Sequence, residues 1–337
     1  MSWDVWGHEW AESLLKKHIA GKMTRHAYLF TGAPGIGRRT LALAFTKALY
    51  CQNAPAPGEF CGTCRNCRQL DRLQHTDLFI GQSAGPGETL KIDTVREIQH
   101  NLNMQPYAAP WRTALFLRFE EANVNAQNAL LKTLEEPPAL SKLLLTASNE
   151  NALLPTISSR CEVIRLRPMA LEDLSQKLQA ARMMLPEDAR RLAHLSAGRA
   201  GYALRLADDP EEADRIVAIA RDGIELLQED TNRRFAYAAT FKDIRKRPVL
   251  RETLQVWQSL FRDLLLLSSS GDGDEVPVSF TDLKDELEVL AVKAEPRVVR
   301  ETLSEVNRMI MYLNANVPAA PAGEPAAQVP GTLGRRV

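Results

Sequence analysis

At 337 residues with 45% apolar side chains, the chain can bury the cores of two or three domains. Lysine plus arginine balances aspartate plus glutamate at 42 each, which excludes any argument for a polyanionic partner from overall charge and leaves room for a local basic surface. The longest aliphatic run, Leu264 to Leu267, is far too short to span a membrane. The opening MSWDVWGHEW lacks the basic-then-apolar pattern of a secretory signal, so a cytoplasmic protein with no membrane partner is expected.

In chain order, the first half alternates short apolar runs with helical patterns, the mark of a parallel sheet wrapped by helices. Ala27 to Phe30 reads as a strand, followed by a glycine-rich turn and an apolar helix over Thr40 to Tyr50. Ala114 to Leu117 is a second strand. A helix over Asn123 to Glu136 follows, stopped by Pro137 and Pro138. Leu143 to Ala147 and Val163 to Leu166 supply two more strands.

From Pro168 onward almost everything reads as helix. Three short helices are predicted over Leu171 to Met183, Pro186 to Ser196 and Arg199 to Leu206. A break at Asp208-Asp-Pro210 leads to longer ones over Glu212 to Gln228, Thr231 to Ile244, Val249 to Ser268, Asp282 to Val292 and Pro296 to Leu313. Ser268 to Glu275 reads as a flexible loop. The Pro/Ala/Gly-rich stretch from Val317 is expected to be disordered. The chain shows no internal repeat.

Gly32-Ala-Pro-Gly35-Ile-Gly37-Arg38-Arg39-Thr40 follows a strand and opens a helix, the context a phosphate-binding loop requires. Glycines let backbone N–H groups turn inward, and the helix N-terminus adds positive potential. A working loop then needs Lys for the β/γ-phosphates and Ser or Thr for Mg²⁺. Arg38 and Arg39 stand in those places, and Thr40 comes one residue late. A guanidinium neutralises phosphate without reproducing a lysine ammonium, and Arg39 is expected to put positive charge where Mg²⁺ would sit. The loop reads either as a weak nucleotide site or as a glycine-rich turn with no ligand. An acidic pair for Mg²⁺ and the attacking water should end a neighbouring strand. Glu120 and Glu121 lie near Ala114 to Leu117 but two or three residues late, and read as a solvated helix start.

Cys51, Cys61, Cys64 and Cys67 crowd into 17 residues. That spacing suits metal binding in a reducing compartment rather than a disulfide framework. Four thiolates fit tetrahedral Zn²⁺, and a closed four-ligand site is structural because no position is left for water. Gly62 and Asn66 fit the turns required. An iron–sulfur cluster and free thiols are the alternatives. Cys161 reads as a small buried hydrophobe beside a strand.

Several motifs together resemble the clamp-loader subunits of bacterial DNA polymerase III, within the AAA+ ATPases. They are Trp3 with Gly7-His8-Glu9, His26-Ala-Tyr-Leu-Phe30, the four cysteines, and His75-Thr-Asp77 where the family usually has His-Pro-Asp. The sharpest are Asn123-Val-Asn-Ala-Gln-Asn-Ala-Leu-Leu-Lys-Thr-Leu-Glu-Glu-Pro-Pro138 and Ser159-Arg160-Cys161. The resemblance covers roughly residues 3 to 316. It implies an α/β plus all-α fold: an AAA+ P-loop-type parallel sheet with a zinc module (51–67) in a core over 1–167, a small three-helix lid over 168–208, and a helical collar over 209–316 that joins subunits, with a tail over 317–337. Trp257, Phe261 and Leu264 to Leu267 fit a collar core.

Anchoring on Asn123 to Pro138 puts the acidic pair at Leu117 and Arg118. The ATP-hydrolysing γ/τ subunits of this family keep the Lys, Thr and Asp-Glu that are lost here. The resemblance therefore implies a scaffold subunit without intrinsic activity, working beside γ/τ and δ subunits, the sliding clamp and primed DNA. The family's Ser-Arg-Cys arginine, here Arg160, is a finger inserted into the neighbouring subunit's ATP site. A surface salt bridge is the plain alternative. Thr146 and Asn149 fall where active relatives sense phosphate, and a structural hydrogen-bonding role is expected. Arg199 falls near a second sensing position, and Asn123, Asn125 and Asn128 read as helix-cap and packing residues. The family collar usually continues past Asn314-Ala-Asn316 into a Leu-rich helix, where this chain has Val317-Pro-Ala-Ala-Pro321. A γ/τ-like ATPase tolerating Arg38 is the enzyme alternative. Direct nucleic-acid binding by the cysteine segment is weak, with only Arg65 and Arg68 there and no aromatic series.

Overall fold

The computed structural model describes residues 3–85, 88–270 and 276–314. They fall into two compact units, one holding residues 1–169 with 199–202 and the other the remainder. The first unit runs α1 (Glu9–Ala20), β1 (Ala27–Thr31), α2 (Arg38–Tyr50), α3 (Arg65–Asp71), β2 (Leu78–Gly81), α4 (Ile92–Leu102), β3 (Arg112–Phe116), α5 (Val124–Glu135), β4 (Ser141–Ala147), α6 (Pro155–Ser158) and β5 (Glu162–Arg165). The five strands pair in parallel in the order β2-β3-β4-β1-β5.

Every residue of β1 and β4 is buried, as expected of near-continuous apolar strands covered on both faces. Tyr28 and Phe30 point to one face, where Leu41 and Phe45 of α2 meet them. Leu29, Leu143 and Leu145 point to the other, against Leu130 and Leu134 of α5. The four strands read from the sequence are present within two residues of their predicted ends. The edge strand β2 and the helices α1, α3 and α4 were not resolved from the apolar pattern.

Lys142, early in β4, is 3% exposed. Its ammonium donates to Thr24 Oγ1 (3.0 Å) and the carbonyls of Thr24 (3.3 Å) and Arg25 (2.9 Å), and lies 4.2 Å from the Trp111 ring centroid. These partners are neutral, and burial pulls its pKa down to about 8. The unfolded ammonium titrates near about 10.4. Between these values the unfolded chain binds more protons, so stability rises with pH across that window and the penalty is fully present below it. Lys142→Met is therefore expected to lessen the gain in urea midpoint between pH 7.5 and 10. An identical gain in the variant would contradict this.

The second unit is helical: α7 (Leu171–Arg182), α8 (Pro186–Leu195), α9 (Ala200–Asp208, whose first residues belong to the other unit), α10 (Pro210–Gln228), α11 (Thr231–Ala239), α12 (Arg247–Ser269), α13 (Lys284–Lys293) and α14 (Pro296–Asn314). The break at Asp208-Asp-Pro210 shrinks to Asp209, whose carboxylate caps α10 by accepting from the Glu212 N–H (3.1 Å). The helix predicted to reach Ile244 stops at Ala239. On α12, Trp257, Phe261 and Leu264 are buried while Leu266 is exposed, because four consecutive leucines cannot share one helical face. Asp263 is fully buried on the same helix and accepts from the N–H groups of Ser279 (2.6 Å) and Phe280 (3.1 Å). Ser268 and Ser269 continue α12, whereas 271–275 of the predicted loop and the whole tail from Val317 lie outside the described residues. No helix among the described residues is long and apolar enough to cross a membrane.

Candidate functional site

The glycine loop connects β1 to α2. Gly35 (φ +79°) and Gly37 (φ +110°) hold the left-handed conformations that open α2, and no side chain caps the helix start. Its carbonyls are held from outside: Tyr202 N–H donates to Gly35 O (2.9 Å), and His8 Nε2 lies 2.8 Å from Ile36 O. A carbonyl only accepts, so Nε2 carries the proton. A Cβ on Gly35 would meet Tyr202 Cβ at 2.7 Å, so this approach requires glycine.

Arg38 leaves the loop and turns inward. The residue is 9% exposed, its Nη1 lies 3.9 Å from Glu120 Oε1, and Glu120 Oε1 also accepts from the Ser148 N–H just past β4 (3.0 Å). Burial pulls the Arg38 pKa down, opposed by Glu120 and reinforced by Arg118. Arg38 Nη1 and Glu120 Oε2 are buried without hydrogen-bond partners. Arg39 and Thr40 are exposed, so Arg38, not Arg39, carries positive charge toward the strand ends. The two differ because successive helix positions point about 100° apart.

The acidic-pair position holds Leu117, which is buried, and Arg118, which is partly exposed. Arg118 donates through its backbone N–H to Thr146 Oγ1 (2.9 Å) and through its side chain to Glu121 (2.9 Å) and Ser83 (3.0 Å). Glu120 and Glu121, in a short 3₁₀ turn, are thus partly buried partners of Arg38 and Arg118 rather than a solvated helix start. Chain-local polarity could not reveal the Glu120 pair, because Arg38 comes from α2, while Arg118 is a neighbour three residues before Glu121. Thr146 makes its structural bond, and Asn149 caps a turn by accepting from the Ala152 N–H (2.9 Å). The Arg199 guanidinium lies over the Tyr202 ring at 4.5 Å and 3.5 Å from Pro34 O.

The four cysteines converge. Cys51 follows the end of α2, Cys64 precedes α3 and Cys67 lies within it. Their sulfurs and that of Cys61 all lie within 4.8 Å of one another, with Cys51 and Cys61 at 3.6 Å. A tetrahedral zinc–sulfur shell of about 2.3 Å bonds has roughly 3.8 Å edges, so the cluster is the right size for one metal ion. The N–H groups of Cys61 and Cys64 point at Cys51 Sγ and Cys61 Sγ (both 3.2 Å); backbone N–H donors hold the Cys61 thiol down to about 6, while burial pushes that of Cys51 up. Gly62 supplies a positive-φ turn (+70°). Asn66 does not form a turn: it is buried in α3 and donates to Tyr50 O (2.9 Å). Trp3 ties this loop to the core by donating to Gly58 O (3.0 Å). Cys161 is partly buried, and burial pushes its thiol up to about 12.

Arg160 follows α6, which Ile157 anchors in the core. Its guanidinium is partly exposed and pairs with Glu135 at 2.7 Å. Asn123 caps α5 by accepting from the Ala126 N–H (2.9 Å), and Asn125 and Asn128 are exposed. Two residues of the quoted motifs have positioning roles that the sequence reading did not assign. Buried Gln127 links α5 to the approach to α6 by accepting from the Leu154 N–H (2.9 Å). Fully buried Asp77 accepts from the N–H groups of Tyr107, Ala108 and Ala109 and fixes the entry to β3. The His75-Thr-Asp77 motif marked Asp77, but not its partners 30 residues away.

Residues 7–170 match the family model described as DNA polymerase III, delta subunit. The DNA polymerase III subunit delta' of Pseudomonas aeruginosa is 36% identical over 154 residues, 46% of this chain and 47% of that protein. Delta' of Bacillus subtilis is 26% identical over 309 residues, 90% of each. The tau subunit of Escherichia coli is 31% identical over 176 residues, 52% of this chain and 27% of that one. The match thus spans about half the length of the Pseudomonas relative and about a quarter of the tau relative. With Arg38, Leu117 and Arg118 in the loop and acidic-pair positions, the chain is similar to DNA polymerase III clamp-loader subunits, and along nearly its whole length to the delta' subunit of Bacillus subtilis.

Proposed function

We propose that this chain is the δ′ scaffold of a clamp loader within the DNA polymerase III holoenzyme. It turns over no ATP itself, bridges the δ and γ/τ subunits, and inserts Arg160 into a neighbouring γ/τ ATP site in a ring that loads the sliding clamp onto primed DNA in the cytoplasm. The contrast between the two arginines carries this reading. Arg38 is buried against Glu120 where nucleotide chemistry would need Lys and Mg²⁺, while Arg160 stays at the surface. A delocalised guanidinium there can meet charge developing on a γ-phosphate. Residues 168–208 would serve as the lid and 209–316 as the collar that joins the ring.

Cys51, Cys61, Cys64 and Cys67 are proposed to hold one structural Zn²⁺, which would supply cross-linking rather than reactivity. One zinc per purified chain is expected by elemental analysis, and Cys64→Ser should lose it together with thermal stability. Metal-free wild-type protein would end the zinc assignment. The wider proposal is tested by reconstitution. Mixed with γ/τ and δ, the chain should co-elute as one assembly whose clamp loading depends on it, and persistent elution as a separate species would contradict the scaffold role.

A further inference from the structure

Arg160 is held by its own chain on two sides. Nη2 donates to Glu135 Oε1 at 2.7 Å, and Nη1 donates to Thr156 O at 3.0 Å. Thr156 lies four residues earlier, in α6, so the side chain folds back over the helix that precedes it. Glu135 is the last residue of α5. It comes from a different element, and its side chain is 52% exposed beside an Arg160 side chain that is 36% exposed.

A guanidinium carrying a carboxylate at 2.7 Å cannot enter a triphosphate site unchanged. The carboxylate would travel with it and set a negative charge beside the γ-phosphate, where like charges repel. The two anions therefore compete for the same donors. An exposed ion pair is weak, whereas a phosphate engaged by both arms of a guanidinium in a site shielded from water is bound far more firmly. Glu135 can thus retain Arg160 in the absence of nucleotide and yield when a neighbouring triphosphate is in place.

We propose that Glu135 is a latch, a positioning residue that holds Arg160 retracted and is exchanged for the neighbour's γ-phosphate when the finger inserts. The proposal rests on the finger reading above. It makes insertion conditional on bound triphosphate and names the part of this chain that reports an empty neighbouring site.

The test uses the assembly reconstituted with γ/τ and δ, measuring kcat and KM for ATP with Glu135→Gln, Glu135→Asp, Arg160→Ala and the Glu135→Gln/Arg160→Ala double variant. Release of the latch is expected to raise kcat about two- to fivefold, the range an exposed ion pair can contribute, with KM little changed. Glu135→Asp should stay near wild type, and the gain should vanish in the Arg160→Ala background. If Arg160→Ala alone leaves hydrolysis unchanged, the finger reading fails and the latch with it. If Arg160→Ala lowers hydrolysis but Glu135→Gln leaves kcat equal or lower, the finger reading stands and the latch is overturned.

Discussion

Arg160→Ala is expected to lower single-turnover ATP hydrolysis at the site it serves by about 10³-fold, the lower end of what arginine fingers contribute. The chain itself should fold as before. Arg160 makes one exposed ion pair and one bond to a nearby carbonyl, and surface substitutions of this kind stay within about 0.5 kcal/mol. Loss of hydrolysis with an unchanged unfolding midpoint would separate a donated catalytic group from a structural one. Arg160→Lys should recover little, because an ammonium lacks the planar fork that spans two phosphate oxygens. Unchanged hydrolysis in Arg160→Ala would reduce the residue to a salt bridge with Glu135.

The second large effect is expected where α2 leaves the glycine loop. Arg38→Ala leaves Glu120 partly buried beside the sheet, where the Ser148 N–H donates to its carboxylate. Removing one partner of such a pair costs about 3 kcal/mol, and the buried stem of Arg38 adds lost packing. Replacing both members, Arg38→Met with Glu120→Gln, is expected to be close to neutral by urea denaturation, since two charges no longer need to be desolvated. Equal destabilisation by the single and double variants would show that packing, not charge pairing, accounts for the loss. The pair also limits what repair can achieve. Arg38→Lys with Arg39→Thr restores the loop residues but leaves Leu117 and Arg118 at the acidic-pair position, so no ATP turnover should appear. Turnover in that variant would mean Glu120 or Glu121 can replace the missing carboxylates.

Much of the molecule was legible because its signals are local. The runs Ala27 to Phe30 and Leu143 to Ala147 are apolar throughout, as strands covered on both faces must be, and the cysteine spacing already confined four thiols to one loop. The strand β2 was hidden because Leu78–Gly81 is four residues long and borders polar loops. The helix α4 did carry a signal: Val95, Ile98 and Leu102 are buried at helical spacing and could have been read. Glu120 was misread because its partner Arg38 comes from α2, far along the chain, whereas Arg118, three residues before Glu121, was a local signal that could have been read. Distance along the chain also hid the partners of Gln127 and Asp77, whose hydrogen bonds join residues about 30 positions apart. The Leu264 to Leu267 run suggested a core but not which leucine faces out; only the helices packed around α12 decide that.

ATP hydrolysis by the purified chain, first alone and then mixed with γ/τ and δ, tests the central claim most directly. No turnover alone, with assembled hydrolysis that depends on this chain and on Arg160, is the expected result. Robust turnover by the isolated chain would contradict it, and would mean that Arg38 can do the work of a lysine and that this is an ATPase subunit.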